Sequence, residues 1–288
     1  MAPVVFDRSE RGKLWLHGED VKEFLQGQVT NDVEGLTPGT GCYAAFLTHK
    51  GKMLGDMRVL DCGDGLWLDC ERSALQELFN LIRRFKIGRR VELEKRTLER
   101  GLVSALGTPP ELPEHSHRLT EVAGVLVREV ATADGVDYIC DSARTADLIE
   151  ALGLPVVGEE EAEIVRVESG RPRFGVDLEP EAVIPQEAGL NDRAVSFTKG
   201  CYVGQETVAR LFYKGKPNRH LRGLRFSAPV PSGTELQLGD RLVGRVGTSV
   251  VSPRLGPIGL TLVRREAAPG DELTAGDATA AVVELPFG

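Results

Sequence analysis

Lys199-Gly200-Cys201-Tyr202-Val203-Gly204-Gln205-Glu206 is the stretch around which the rest of this chain is read. A cysteine follows a lysine and a glycine. An apolar run follows the cysteine, with Val203, Val208, Leu211 and Phe212 on roughly helical spacing. Gly204 weakens the start of that run, so the spacing predicts a helix from about residue 205 onward. Glu206 then lies in the first turn, where a carboxylate suits the positive helix end. Cys201 stands just before that end and beside Lys199, and both neighbours favour the thiolate, the form that attacks electrophiles or binds metal. The alternative is a small buried thiol under a turn, since free cysteine is among the most buried residue types.

Working outward, the 288 residues contain no stretch near the roughly 20 apolar residues of a membrane span. The charged segment from Met1 to Lys13 lacks the apolar core of a signal peptide. A cytoplasmic protein of two or three compact units is expected, with no membrane partner. Cysteines stand at 42, 62, 70, 140 and 201, an odd number with no C-x-x-C pair, which argues against a disulfide framework and a four-cysteine zinc site. His115 and His117 fall in a proline-rich segment and read as a surface loop rather than a metal site. The net charge of −8 hides two basic stretches, residues 83–100 at +5 and residues 210–225 at +6. They suit an anionic ligand such as a polyglutamate tail, a phosphate or RNA, or else they are solvated faces.

Along the chain, Asp20 is placed to cap a short helix carrying Val21, Phe24, Leu25 and Gln28 on one side. Strands are predicted at 43–47, 53–60 and 66–70, a helix at 73–85 and a basic strand at 89–95. A repeat then appears. Asp64-Gly65, Cys70 and Leu78 recur as Asp134-Gly135, Cys140 and Leu148, at an offset of 70. The second half again reads as a hairpin into a strand (136–140) and a helix (143–152). A strand–strand–helix unit used twice predicts a split β-α-β arrangement in one antiparallel sheet over 41–152. Cys70 and Cys140 then occupy equivalent strand ends as packing residues. The acidic helix 159–169 stops at Gly170 and leaves Glu168 in its last turn, where the helix dipole disfavours a carboxylate by roughly 0.3–1 kcal/mol. Arg171 or Arg173 could compensate, and so could the N–H donors of a ligand. After Phe212, short β-rich runs between Gly-Pro turns predict a small antiparallel barrel over 213–288, preceded by one larger region over 1–212.

Four motifs carry a resemblance. Residues 199–206 match K-G-C-[FY]-x-G-Q-E, and residues 18–33 match G-x-D-x-x-x-F-L-Q-G-Q-x-T-N-D-V. Residues 166–177 match R-x-E-x-G-x-P followed by G-x-D, and Lys50-Gly51-Lys52-Met53 matches K-G-K-M. Together they resemble the YgfZ family of folate-binding proteins of iron–sulfur assembly, relatives of the glycine-cleavage T-protein (aminomethyltransferase). The resemblance implies an α+β fold: a three-part T-protein-like ring with a ferredoxin-like sheet unit and a C-terminal antiparallel β-barrel. It implies a tetrahydrofolate or folate-derivative cofactor, with Glu168 on the pterin and Lys199, Tyr202, Gln205, Arg210 and Asp56 as further folate-binding residues. It makes Cys201 the candidate for thiol chemistry, with no resident metal. Iron–sulfur enzymes or assembly proteins, and tRNA, are the implied partners. The T-protein's Asp-Asp pair is incomplete, because Gly55 precedes Asp56. A true aminomethyltransferase is therefore the second reading, and an RNA-binding module with salt-dependent affinity is the third.

Overall fold

The computed structural model describes residues 2–288, which fall into two compact units. The first comprises residues up to 158 together with 191–205, and the second comprises 159–190 together with 206–288. The composition change at 212/213 does not coincide with this division, which follows packing. The acidic helix and the irregular segment after it belong with the C-terminal strands.

The first unit contains β1 (Val4–Asp7), β2 (Gly12–His17), α1 (Val21–Gln26), β3 (Gly41–Leu47), β4 (Met53–Asp61), β5 (Leu66–Cys70), α2 (Leu75–Phe85), β6 (Glu92–Lys95), β7 (Arg100–Leu106), β8 (His117–Val122), β9 (Val125–Thr132), β10 (Gly135–Asp141) and α3 (Thr145–Leu152). The expected repeat is present, but in two sheets rather than one. One sheet runs β3-β4-β5-β2-β6 and the other β8-β9-β10-β7-β1. Their registers correspond residue by residue. Arg58 on β4 lies opposite Tyr43 and Asp69, and Arg128 on β9 lies opposite Leu119 and Ile139. Cys70 and Cys140 each face a glycine across the ladder, Gly12 and Gly101, as packing residues at equivalent strand ends. The single-sheet expectation fails because each half recruits its own extra strands, and so each half closes its own sheet.

Alternation along β4 decides which residues meet. Side chains two apart share a face, so Asp56, Arg58 and Leu60 point away from α2. On that face Leu60 and Trp67 pack with Leu102, Val130 and Ile139 of the second sheet. On the opposite face lies α2, whose Leu75, Leu78 and Ile82 are buried while Arg83 and Arg84 stay at the surface. Burying one such side chain contributes about 1.5–3 kcal/mol. Helix α1 carries no side-chain cap. Asp20 instead accepts from the backbone N–H of Arg90 at 2.9 Å and from its guanidinium at 2.8 Å. The strand predicted at 89–95 begins only at Glu92, after that contact.

The second unit opens with α4 (Glu159–Glu168), which ends before Gly170 at a φ of +72°. After the four-residue α5 (Asn191–Ala194) of the first unit, α6 (Gln205–Lys214) leads into β11 (Arg219–Phe226), β12 (Glu235–Leu238), β13 (Arg241–Arg245), β14 (Thr248–Ser252), β15 (Gly256–Arg264), β16 (Glu272–Ala275) and β17 (Ala278–Val283). They form one curled antiparallel sheet of seven strands, ordered β13-β12-β16-β17-β11-β15-β14. Strands β13 and β14 are separated only by Val246-Gly247. Val167 of α4 is fully buried against Leu221, Ile258, Leu260 and Phe287 of this sheet. Among the described residues, no helix is long and apolar enough to cross a membrane.

Candidate functional site

Two distant motifs meet in the first unit. The side chain of Thr30 donates to the carbonyl of Ala194 at 2.5 Å, and that of Asn31 donates to the carbonyls of Tyr43 and Arg193. The N–H groups of Ser196 and Val203 donate to the carbonyls of Thr30 and Gly27. The polar turn at 27–32 is therefore a seat for residues 193–203, which explains its density of amide and hydroxyl groups. Gly204 closes the seat at a φ of +83°. A Cβ there would lie 2.5 Å from the carbonyl oxygen of Thr48 and 3.2 Å from Cα of Gly51, so the K-G-K-M turn also requires that glycine.

Lys199 is not turned toward Cys201. Its ammonium donates to the carbonyls of Gln26, Val29 and Asn31 at 2.6, 2.8 and 2.8 Å, where α1 ends. Burial holds its pKa down at about 8, against a smaller opposing pull from Asp32. The charge also lies 5.1 Å from the ring centre of Tyr202, which is buried and whose hydroxyl is pushed up to about 12 by that burial. The expectation that Lys199 activates the neighbouring thiol therefore meets a lysine committed to backbone carbonyls. The turn leaves Cys201 exposed. The other four thiols differ: burial pushes Cys42 and Cys70 up to about 12 and Cys62 to about 11, and raises Cys140. Helix α6 begins at Gln205, as its spacing predicts, and Gln205 is half-buried.

Asp56 is 3 % exposed on the inner face of β4. Burial raises its pKa from 3.8 to about 6, partly offset by a hydrogen bond from the Tyr43 hydroxyl. Tyr43 itself lies between the imidazole of His115, stacked at 6.2 Å, and the guanidinium of Arg193, at 5.4 Å from its ring centre. His115 lies in the turn before β8, as expected, whereas His117 is not in a surface loop. The second starts β8 and is buried, and both are held down at about 4, chiefly by burial. Beside Asp56 runs a network that no contiguous motif marks. Arg58 donates to Asp69 and to Asp137, each at 2.7 Å, and Ser104 donates to Asp137 at 2.6 Å. Arg11 bridges Asp69 and Glu71. Only alternation along β4 and β5 could have signalled it, because its members are far apart in sequence.

Glu168 lies in the second unit at the end of α4. Its carboxylate is held from a distant turn. Oε1 accepts from the Ser252 hydroxyl and Oε2 from the Arg254 guanidinium at 3.2 Å, both at the β14–β15 turn. Arg173 pairs with Glu159 and Glu163. Arg210 is exposed on α6, where Arg210, Lys214 and Lys216 have no carboxylate partner among the described residues. The other basic stretch is largely neutralised within its own unit, with Lys86 on Glu92, Arg89 on Glu23, Arg90 on Glu19 and Asp20, and Arg96 on Glu94 and Glu99.

Comparison with known proteins gives two domain matches and a set of homologues. The GCVT N-terminal domain model matches residues 2–108, and the CAF17 C-terminal beta-barrel domain model matches residues 219–286. The chain is 28 % identical over 228 residues to the tRNA-modifying protein YgfZ of Colwellia psychrerythraea, covering 75 % of this chain and 70 % of that one. It is 28 % identical over 242 residues to YgfZ of Yersinia pestis, covering 78 % and 73 %. The chain therefore carries a GCVT-type N-terminal domain and a CAF17-type C-terminal barrel domain, and the YgfZ proteins are its homologues. Its fold is that of an aminomethyltransferase. The glycine cleavage system aminomethyltransferase T from Bartonella henselae superposes with a TM-score of 0.87 at 22 % identity, over 99 % of this chain and 86 % of that one. Within the GCVT-like domain, the position before Asp56 is the informative one. A Cβ on Gly55 would lie 2.9–3.1 Å from three side-chain carbons of Leu78, which is fully buried. A carboxylate at 55 would point into the apolar layer beneath α2.

Proposed function

We propose that this chain binds a tetrahydrofolate and acts as a folate-dependent accessory protein for iron–sulfur enzymes, including those that modify tRNA. One observation carries the reading: the 199–204 turn spends Lys199 and Tyr202 on its own anchoring and presents Cys201, the one exposed thiol among the described residues. A solvent-accessible thiol on a hydrogen-bonded turn suits transient exchange with a sulfur species, a cluster or a folate-borne one-carbon unit. One thiolate does not supply the four ligands typical of a stable cluster, so residence of a cluster in the monomer is not part of the proposal.

For the folate, Glu168 has the matching chemistry. Each carboxylate oxygen accepts more than one hydrogen bond, and here each receives one from the chain itself, leaving acceptor positions for the amino group and ring N–H of a pterin. Arg254 and Ser252 fix the carboxylate before any ligand arrives. The bound folate would supply a one-carbon carrier. The exposed cations Arg210, Lys214 and Lys216 suit its glutamate tail or the phosphates of a tRNA. The aminomethyltransferase reading loses support at Gly55, where a second aspartate would face Leu78.

Calorimetric titration with tetrahydrofolate tests the proposal. Binding is expected, and Glu168→Gln should weaken it about 10- to 100-fold, the equivalent of one charge-assisted hydrogen bond. Unchanged affinity in that variant removes Glu168 from the site, and no binding at all removes the cofactor. Cys201→Ser should fold and bind folate, yet fail to restore iron–sulfur enzyme activity in cells lacking the protein. In wild type, Cys201 should be the first thiol alkylated, and full complementation by the serine variant would overturn its role.

A further inference from the structure

The two half-sheets of the first unit have equivalent inner faces, and only one has been described above. In the first, Tyr43, Asp56 and Arg58 share a face. The register places Leu119, Leu126 and Arg128 at the same three positions in the second. There a groove of about 360 Å³ opens, large enough for a small organic ligand. Its wall is made by Trp15 and Trp67, paired across β2 and β5 and the only two tryptophans of the chain. Its floor includes Cys62, Val127 and Ile139. Its open side carries Leu119 and Leu126, which lie on the packing face of the sheet yet are 61 % and 67 % exposed.

Most of the charges around it are positive. Arg96, Arg100 and Arg128 line the groove against a single carboxylate, Asp64. Among the described residues Arg100 and Arg128 have no carboxylate partner. Arg128 shares only a 2.8 Å contact with Nδ1 of His117, an imidazole held neutral at ordinary pH by burial. Two unpaired guanidiniums in a chain of net charge −8 form a local anion site. The indole N–H of Trp67 is buried and has no acceptor among the described residues. Indole faces, exposed leucines, guanidiniums and an unused donor together fit a flat heteroaromatic ring attached to an anion.

We propose that this groove is a second ligand site, distinct from the folate site, and that it binds a nucleoside phosphate. The base lies against the tryptophan wall and the phosphate meets Arg100 and Arg128. The tryptophans make the test direct, since both report on the groove. Wild-type protein is titrated with AMP, adenosine and inorganic phosphate, read by tryptophan fluorescence and by calorimetry. AMP should bind saturably, and adenosine and phosphate each at least about 10-fold more weakly. Arg100→Glu alters an exposed side chain, so folding should be retained, and AMP affinity should fall at least about 10-fold while tetrahydrofolate affinity is unchanged. No saturable AMP binding by calorimetry, adenosine binding as tightly as AMP, or an Arg100→Glu protein that binds AMP like wild type would each overturn the proposal. A shared loss of AMP and tetrahydrofolate binding in that variant would also overturn it, because the two sites would then be one.

Discussion

Arg58 and Arg128 occupy the same register position in two matching half-sheets, and their surroundings are opposites. Arg58 is 5 % exposed and holds two carboxylates, one from each sheet. Arg128 is half-buried at the edge of a groove and holds none among the described residues. The strand partners diverge in step, with Tyr43 and Asp69 around the first and Leu119 and Ile139 around the second. A duplicated scaffold has kept one cationic position and changed everything that reads it. In one half the charge ties the sheets together, and in the other it is left for solvent or a ligand.

The largest effect expected from this contrast is on stability. Arg58→Leu leaves Asp137 with only the Ser104 hydroxyl and Asp69 with only Arg11 in a buried interface, and removing one partner of a buried ion pair typically costs about 3–5 kcal/mol. Arg128→Leu leaves no buried carboxylate behind and removes only the 2.8 Å contact to Nδ1 of buried His117, a loss of about 1 kcal/mol. Urea unfolding of both variants checks the contrast, and comparable losses would erase it.

The next effect depends on pH. The rise of Asp56 from 3.8 to about 6 corresponds to about 3 kcal/mol against its ionised form. The sign follows from an acid whose folded pKa is raised. Stability is fully present below about pH 4, declines as pH climbs toward 6, and is lost above that. Asp56→Asn removes the ionisation and keeps an acceptor for Tyr43. D56N should therefore match wild type near pH 4 and exceed it by up to about 3 kcal/mol at pH 7–8. A pH-independent difference between the two would show that Asp56 is ionised throughout.

How much of this could be read beforehand follows from the kind of signal. The helix at 205, the repeat at an offset of 70 and the end of α4 before Gly170 are written locally, in periodicity and glycine punctuation. The division into two sheets is not local. It depends on β2 and β7 joining different partners, and neither strand was foreseen. The same holds at the sites. Cys201 and Glu168 stand in contiguous motifs and were singled out. Tyr43, Arg58 and Asp137 become neighbours only through register. Lys199 is the instructive failure: adjacency in sequence suggested a partner for Cys201, while three carbonyls at the end of α1 claim the ammonium. The helix macrodipole correctly required a partner for Glu168, but could not say that Arg254, 86 residues on, would be the arginine.

The smallest effect should come from exchanging the equivalent residue in the second half. Leu126 stands where Asp56 stands in the first, yet it is 67 % exposed, against 3 %. Leu126→Asp places a carboxylate in water beside the unpaired Arg128, so neither a desolvation cost nor much ion-pair gain is available. Its stability should lie within about 0.5 kcal/mol of wild type across pH 4–8, with none of the pH dependence expected at Asp56. The carboxylate should nevertheless neutralise the guanidinium and repel a phosphate, so AMP binding in the groove should weaken about 10-fold while the protein stays equally stable. A loss of several kcal/mol would mean that Leu126 is covered in solution by a contact the groove does not show. Unchanged stability with unchanged AMP binding would take Leu126 and its neighbour Arg128 out of the ligand's path, and the anion would then have to be held by Arg100 alone.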